Sequence, residues 1–166
     1  MSDPQQQIEM SGNRLVCDFD AVIVGVGFAG LYMLYKLRDM GFSTRVFEAG
    51  SGVDGTWYWN RYPGARCDVE SMQYSYQFSE ELQQEWKWTE KYSPQPEILR
   101  YANHVADRFD LRRDIQFDTR VESAIFDEVS ETWLIATSDG ARVVGSLLHY
   151  GHGMPVGPQP TQFQGT

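Results

Sequence analysis

Residues 19–48 of the chain read FDAVIVGVGFAGLYMLYKLRDMGFSTRVFE, and this stretch decides the fold. It begins with a short β-branched apolar run, FDAVIV, which is typical of a strand buried on both faces. Three glycines follow, and apolar residues then recur at helical spacing up to Gly41, which stands where helices commonly end. A second apolar run, STRVFE, ends at Glu48. The pattern predicts a strand–turn–helix–strand unit and therefore an α/β fold with a parallel sheet.

The turn after the first strand has the spacing GxGxxG, formed by Gly25, Gly27 and Gly30. In dinucleotide-binding domains the first glycine permits the tight turn, the second lets backbone approach a pyrophosphate, and the third lets helix and strand pack closely. The pyrophosphate lies at the helix N-terminus, where free N–H groups and the helix dipole favour an anion. We assign Ala29, in the same turn, to this cofactor-binding set.

Glu48 ends the second strand at close to the spacing, about 20 residues from the turn, at which an acid binds ribose hydroxyls. A carboxylate there repels a 2′-phosphate, so we predict that this first site takes FAD or NAD and not NADP. The alternative is a glycine turn that serves packing alone in another kind of α/β domain. The preceding strand and the following acid favour the dinucleotide site.

Composition narrows the possible partners. The chain has 166 residues, a formal net charge of −9 and 42% hydrophobic residues, which fits one domain with a substantial core and disfavours nucleic acid as a partner. Its two cysteines, Cys17 and Cys67, lack zinc-site spacing and fit a reducing compartment. The longest uncharged run, residues 21–35, is shorter than the about 18–20 residues of a membrane span. We therefore predict a cytoplasmic protein that has no metal site, no membrane-spanning segment and no signal peptide.

The remaining elements are less regular. Residues 49–92 show little periodicity, which indicates either a long functional loop or a helix or strand that the sequence pattern does not reveal. A helix is predicted to open at Ser93-Pro94-Gln95-Pro96-Glu97, and its one apolar face is predicted to be formed by Ile98, Tyr101, Ala102, Val105 and Phe109. Extended stretches at about 121–126, 132–137 and 142–144 predict a small antiparallel meander, with a hairpin turn at Asp139-Gly140. Residues 146–150 predict a final short strand.

The irregular segment contains GTWYWNRYPGARCDVES, residues 55–71, which is too aromatic for an ordinary loop and too charged for a core strand. With ELQQEWKWTEKYSPQPEILRYANHVADRFDLRRDI, residues 81–115, it resembles Baeyer–Villiger monooxygenases, flavin enzymes that insert oxygen beside a ketone, in particular the phenylacetone and steroid monooxygenases. The resemblance covers about residues 20–144. It implies the Rossmann-like FAD-binding fold of a two-dinucleotide-binding-domain flavoprotein with an antiparallel β-meander, here incomplete.

The resemblance also implies site residues. Aromatic side chains after Gly55 can supply flat walls for a flavin ring, and Arg66 is a local positive charge suited to phosphate. The positions matching Arg66, Cys67 and Asp68 approach the nicotinamide cofactor in the family, and Asp68 also contacts FAD. The full cofactor-binding set implied beyond the glycine turn and Glu48 is Gly55, Thr56, Trp57, Tyr58, Trp59, Arg66, Cys67, Asp68, Tyr74 (an FAD contact) and Val121 (a backbone contact near the adenine).

The implied function is that of an NADPH- and O2-dependent flavoenzyme that converts a ketone into an ester or lactone. We predict a lead-in at residues 1–18, the N-terminal part of the FAD-binding domain at 19–153, and a linker at 154–166 towards an NADPH domain that the chain does not contain. No complete catalytic set is present, and Asp68 has a supporting role. The isolated chain is therefore predicted not to complete the catalytic cycle, and a complementary C-terminal portion is predicted as its partner. The alternatives are another class B flavin monooxygenase, acting on nitrogen or sulfur, and a truncated, non-catalytic FAD-binding fragment.

Two departures from the family pattern carry further expectations. Asp54-Gly55 stands where the family has two glycines, so an added Cβ and negative charge should weaken FAD binding if Asp54 points at the cofactor. Residues 151–156 match the family's next turn only loosely.

Three further tryptophans, Trp86, Trp88 and Trp133, are predicted to serve packing. Cys67 is predicted to be a small buried neighbour and not a nucleophile.

Overall fold

A computed structural model describes residues 16–151, and the predicted linker and most of the predicted lead-in lie outside that range. The six strands are β1 Phe19–Val24, β2 Thr44–Phe47, β3 Ile115–Gln116, β4 Val121–Asp127, β5 Thr132–Thr137 and β6 Arg142–Tyr150. The four α-helices are α1 Phe28–Asp39, α2 Gly55–Trp59, α3 Glu80–Glu85 and α4 Gln95–Arg108, with 3-10 turns at Ser71–Tyr74 and Arg112–Asp114. In the part of the chain that the structure describes, no helix has the length and apolar character needed to cross a membrane.

All six strands form one sheet in the order β3-β2-β1-β6-β5-β4. The first four strands in this order run parallel to one another, whereas β5 pairs antiparallel with both β6 and β4. The predicted βαβ unit and the predicted meander are both present. They share β6, whose first part pairs with β5 and whose second part pairs with β1, so the meander is continuous with the parallel sheet.

The prediction of two separate strands around Gly145 was wrong, because β6 runs without a break from Arg142 to Tyr150. The glycine suggested an interruption, but it marks a close approach between neighbouring strands. A Cβ added at Gly145 would lie 3.0 Å from Cγ2 of Val22. Glycine inside a strand commonly marks such an approach.

The core lies on both sides of the sheet. On one side, Ile23 and Val46 pack with buried residues of α1 and α4. On the other side, Val22 and Phe47 pack with Val121 and Ile135 of the meander. The apolar face predicted for α4 is confirmed, because its buried residues include Ile98, Tyr101, Ala102 and Val105. Packed elements therefore cover both faces of β1 and β2.

Residues 49–92, which lack a long period in the sequence, contain α2, one 3-10 turn and α3. The helices α2 and α3 have 5 and 6 residues, too few for apolar residues to repeat at helical spacing. The strand β3 escaped prediction for the same reason, since it has two residues. Short elements of this kind depend on tertiary contacts for their stability.

Candidate dinucleotide site

The glycine turn connects β1 to α1 at the carboxyl end of the parallel strands. Gly25 has a φ of +90°, which favours glycine, and its N–H donates to the Phe47 carbonyl oxygen at 2.9 Å. Gly30 lies against the turn, because an added Cβ would be 2.1 Å from the Gly25 carbonyl oxygen. The structure therefore shows the tight turn and the close helix–strand packing that the sequence predicts for this motif.

Gly27 is the residue before α1, and an added Cβ would meet the Gly151 carbonyl oxygen at 3.7 Å, an ordinary contact. Gly151 follows β6 and donates its N–H to the Val24 carbonyl oxygen at 2.9 Å. A Cβ on Gly151 would lie 2.7 Å from the Gly25 carbonyl oxygen. Sequence reasoning missed Gly151 as part of the turn, although a glycine directly after the last strand was a usable signal.

Glu48 is buried beside this turn, with 6% of its surface exposed. Its Oε2 accepts a hydrogen bond from the Val26 N–H at 2.9 Å, and its Oε1 accepts one from the Gly50 N–H at 2.7 Å. These bonds fix the carboxylate between the glycine turn and the Gly50 loop. Each oxygen keeps a lone pair that can accept a hydrogen bond from a ribose hydroxyl.

Asp54 is the most unusual residue of the site. Its backbone is left-handed, with φ 84° and ψ 18°, and its N–H donates to the Val26 carbonyl oxygen at 3.0 Å. Only 1% of its surface is exposed, and neither carboxyl oxygen has a hydrogen-bond partner among the described residues. Burial raises the pKa of the carboxyl to about 9. At neutral pH Asp54 is therefore an uncharged acid, and the negative charge expected from the sequence is absent.

The helix α2 brings the aromatic run to the same place, since a Cβ on Gly55 would lie 3.6 Å from the Cα of Gly27. Thr56 is exposed at the start of α2. The three rings that follow have different surroundings. Trp57 is 8% exposed and packs with Cys67 and Ile98, whereas Trp59 is 53% exposed. Tyr58 is half-buried, with its hydroxyl 2.6 Å from Oγ of Ser51. They do not form one continuous flat wall.

The segment around Cys67 is tied to the start of α4. The Cys67 N–H donates to the Ser93 carbonyl oxygen at 3.1 Å, and the Gln95 N–H donates to the Ala65 carbonyl oxygen at 2.8 Å. The Gln95 side-chain amide donates to the Trp57 carbonyl oxygen. These bonds cross-link α2, the loop and α4. Helix α4 thereby supports residues that have little regular structure of their own.

Within that segment the three adjacent site residues have different roles. Cys67 is buried, as predicted for a packing residue, while Arg66 and Asp68 are exposed. Arg66 forms an ion pair with Glu90 at 3.3 Å and donates to the Tyr92 carbonyl oxygen at 3.2 Å. Both Arg66 and Asp68 lie on the surface, and the Asp68 charge acts on the hydroxyl of Tyr74.

Tyr74 and Val121 complete the predicted set. Tyr74 packs edge-on against Phe28, with ring centroids 5.5 Å apart, and burial raises the pKa of its hydroxyl. Val121 starts β4 and is 7% exposed. The neighbouring Thr119 N–H donates to the Glu48 carbonyl oxygen at 2.9 Å, which places the start of β4 beside the end of β2. Tyr74 thus packs at the start of α1, and Val121 lies near the end of β2.

The packing roles predicted for the other tryptophans are confirmed. Trp86 and Trp88 pack around Tyr101, at 5.2 and 5.0 Å between ring centroids, and Trp133 packs with Phe126 at 5.2 Å. Within residues 16–151, no three histidine, cysteine or acidic side chains are grouped as a metal site.

A glycine turn between a buried strand and a helix, with an acid at the end of the next parallel strand, defines the class of Rossmann-like dinucleotide-binding domains. The family model described as an NAD(P)-binding Rossmann-like domain matches residues 23–87. Curated relatives are more specific. The chain is 51% identical over 123 residues to a phenazine N-monooxygenase of Lysobacter antibioticus, covering 74% of this chain and 23% of the relative.

Two further relatives are also named as monooxygenases. An acetone monooxygenase (methyl acetate-forming) of Gordonia sp. is 46% identical over 146 residues, and a Baeyer–Villiger monooxygenase of Pseudooceanicola batsensis is 45% identical over 149 residues. Each match covers 88–89% of this chain and 27% of the relative. The chain therefore spans about a quarter of the length of the curated relatives that it matches.

Solved structures similar to this chain include monooxygenases as well. Oxidized steroid monooxygenase bound to NADP superposes with a TM-score of 0.82 at 56% identity, covering 89% of this chain and 28% of that chain. A complex of OTEMO with FAD and NADP superposes with a TM-score of 0.81 at 36% identity, covering 90% and 28%. This chain is homologous to the N-terminal part of Baeyer–Villiger and related flavin monooxygenases.

Proposed function

We propose that this chain is the FAD-binding portion of an NADPH- and O2-using Baeyer–Villiger monooxygenase. The observation that carries the proposal is the Glu48 carboxylate, held by the Val26 and Gly50 N–H groups beside the start of α1. The residues present fit FAD, because the turn leaves backbone open at Gly27 and the acid suits an unphosphorylated ribose. NADP carries a 2′-phosphate, which this carboxylate disfavours at the first site.

The residues have distinct proposed roles. The N–H groups at the start of α1 bind the pyrophosphate, and Glu48 binds the ribose of the adenosine half. The α2 segment and Tyr74 orient the flavin half, and Asp68 has a supporting role near the nicotinamide cofactor. When bound and reduced by NADPH, FAD supplies the electrons that activate O2 for insertion beside a ketone carbonyl. The balanced reaction consumes ketone, O2, NADPH and a proton and yields ester or lactone, water and NADP+.

The acetone monooxygenase and the Baeyer–Villiger monooxygenase among the relatives support a small ketone as the substrate class. The second candidate is oxygenation at nitrogen, which the relative named phenazine N-monooxygenase favours through its 51% identity. An assay of the assembled enzyme with a ketone and with a phenazine would separate the two. Ester formation supports the first candidate, and N-oxide formation supports the second.

A complementary C-terminal portion is the proposed partner. Among the described strands, residues 146–149 of β6 pair with β1 alone, because β5 ends its pairing at Gly145. Leu147 in this stretch is 50% exposed. An additional strand along this edge would satisfy its backbone groups and cover the leucine.

The proposed location is the cytosol, which the free thiols of Cys17 and Cys67 support.

Substituting Gly27 with alanine tests the cofactor assignment. The added Cβ meets its nearest neighbour at 3.7 Å, so the free energy of unfolding should change by less than about 1 kcal/mol. The same Cβ lies where backbone approaches the pyrophosphate, so the dissociation constant for FAD should rise by about tenfold or more. Flavin fluorescence during titration measures the constant, and thermal unfolding measures stability.

Met40→Ala is the matched control, because Met40 is 68% exposed at the other end of α1. It should leave FAD binding unchanged. Equal retention of flavin by the wild type and Gly27→Ala would contradict the assignment of the turn to the pyrophosphate.

A further inference from the structure

We propose that the Asp54 side chain donates a hydrogen bond to the pyrophosphate of bound FAD, and that loss of its proton releases the cofactor. This inference rests on the proposed FAD site and assigns that site a residue that departs from the glycine pair of the family. It replaces the expectation that Asp54 simply weakens binding. The acid becomes part of the site and makes cofactor binding depend on pH.

The first argument is the missing partner. Asp54 is 1% exposed, yet neither Oδ1 nor Oδ2 has a hydrogen-bond partner within residues 16–151. Buried polar groups are normally satisfied, and a buried carboxyl without a partner is costly. A left-handed backbone adds strain at the same residue. Unsatisfied and strained groups cluster where a ligand completes the structure.

The second argument is position. The Asp54 N–H is bonded to the Val26 carbonyl oxygen at 3.0 Å, inside the GxGxxG turn. The next residue, Gly55, is a neighbour of Gly27, because a Cβ added at Gly55 would lie in ordinary contact with the Gly27 Cα, at 3.6 Å. Asp54 is therefore attached to the turn in front of the 12-residue helix α1, where the anion is expected.

The third argument is the protonation state that this position requires. An ionised carboxylate can only accept hydrogen bonds and would repel an anionic phosphate oxygen, whereas a neutral carboxylic acid has one O–H to donate. A phosphate oxygen is a charged acceptor, so the resulting bond is of the strong, charge-assisted kind. The neutral acid therefore suits an anion site, and the ionised form opposes it.

The surroundings of Asp54 favour the neutral acid. Burial raises its pKa to about 9, and no positive charge among the described residues opposes that shift. The ionisable groups that face it are the hydroxyls of Tyr74 and Tyr76, whose pKa values are raised chiefly by burial and also by the Asp54 charge. Cys67 and Asp68 act in the same direction on Tyr74. Both tyrosines are therefore uncharged in the pH range where Asp54 titrates.

The test is the dissociation constant for FAD of the 166-residue chain, measured by flavin fluorescence from about pH 7 to about pH 10.5. For the wild type we expect a constant value at neutral pH and a rise of about tenfold per unit above about pH 9, because binding then requires one proton. Asp54→Asn keeps an N–H donor and does not titrate. It should bind within about threefold of the wild type at pH 7 and show no such rise.

Asp54→Gly removes the donor and should bind FAD about ten- to a hundredfold more weakly at pH 7, although its fold is relieved of strain. Tighter binding by Asp54→Gly, or parallel pH profiles for wild type and Asp54→Asn, would overturn the proposal while leaving FAD binding intact. No flavin binding by any of the three proteins would overturn both. A carboxyl carbon NMR titration of Asp54 in the free chain is independent of FAD, and a midpoint near its ordinary value would also overturn the proposal.

Discussion

Replacing Gly30 with alanine is expected to destabilise the chain by about 3 kcal/mol or more. Among the glycines that the structure describes, this is the position where one added methyl group should cause the largest loss of stability. The added Cβ would lie 2.1 Å from the Gly25 carbonyl oxygen and 3.1 Å from its carbonyl carbon. Both are backbone atoms, and the Gly25 N–H is bonded to Phe47 of the neighbouring strand. The turn cannot move away without breaking this bond to β2.

Urea unfolding followed by tryptophan fluorescence measures this loss, since the chain has five tryptophans. Gly27→Ala is the matched control, because it adds the same methyl group three residues earlier with its nearest contact at 3.7 Å. We expect the unfolding midpoint of Gly30→Ala to fall far below that of Gly27→Ala. Equal midpoints would show that α1 and β1 are not packed as described.

Replacing Asp54 with glycine is expected to have the opposite effect and to raise the free energy of unfolding by about 2–3 kcal/mol below about pH 4, where the folded and unfolded states both hold the proton. Glycine adopts the φ of 84° freely, which recovers about 1–2 kcal/mol of left-handed strain. Removal of an unpartnered buried carboxyl recovers about 1–3 kcal/mol more. The larger freedom of glycine in the unfolded chain offsets about 1 kcal/mol of this gain.

The same variant should change how stability depends on pH. The pKa of Asp54 is 3.8 in its ordinary state and about 9 in the folded chain, so between these values the folded state holds a proton that the unfolded state has lost. The stability contributed by the protonated acid is complete below about pH 4 and is lost as pH rises to about 9. Asp54→Gly lacks this loss, so its advantage over the wild type should grow across that window.

Urea unfolding at about pH 4, 7 and 9 tests this dependence. Asp54→Asn is the control, since it keeps a side chain of similar size but cannot titrate. Its stability should follow that of Asp54→Gly in slope and not that of the wild type. A constant difference between wild type and both variants at all three pH values would show that Asp54 is already ionised in the folded chain.

Several elements could be predicted from short-range pattern. The strand β1 was predicted with the bounds that the structure has, and α4 was predicted from its prolines and one apolar face. Elements shorter than one repeat of a pattern could not be predicted, as α2 and β3 show. The strand β6 was divided at Gly145, because sequence alone cannot distinguish a glycine that ends a strand from one that allows close packing.

The residues of the candidate site also fall into two groups, those that short-range pattern predicts and those that it does not. The spacing of Gly25, Gly27, Gly30 and Glu48 was enough to predict a dinucleotide turn, since this chemistry depends on residues that are near in sequence or at the ends of adjacent strands. The family resemblance rested likewise on contiguous residues. By itself, then, the amino-acid sequence determined the βαβ unit and the homology to flavin monooxygenases, and it predicted the class of ligand.

Only the tertiary structure decided what surrounds those residues. It placed Gly151 against Gly25, although 126 positions separate them in the chain, and it buried Trp57 while leaving Trp59 exposed. It also made Asp54 a neutral acid, which its sequence position does not indicate. The physical reason is that burial, and with it the pKa of a carboxyl, depends on segments brought together by folding and not on neighbours along the chain.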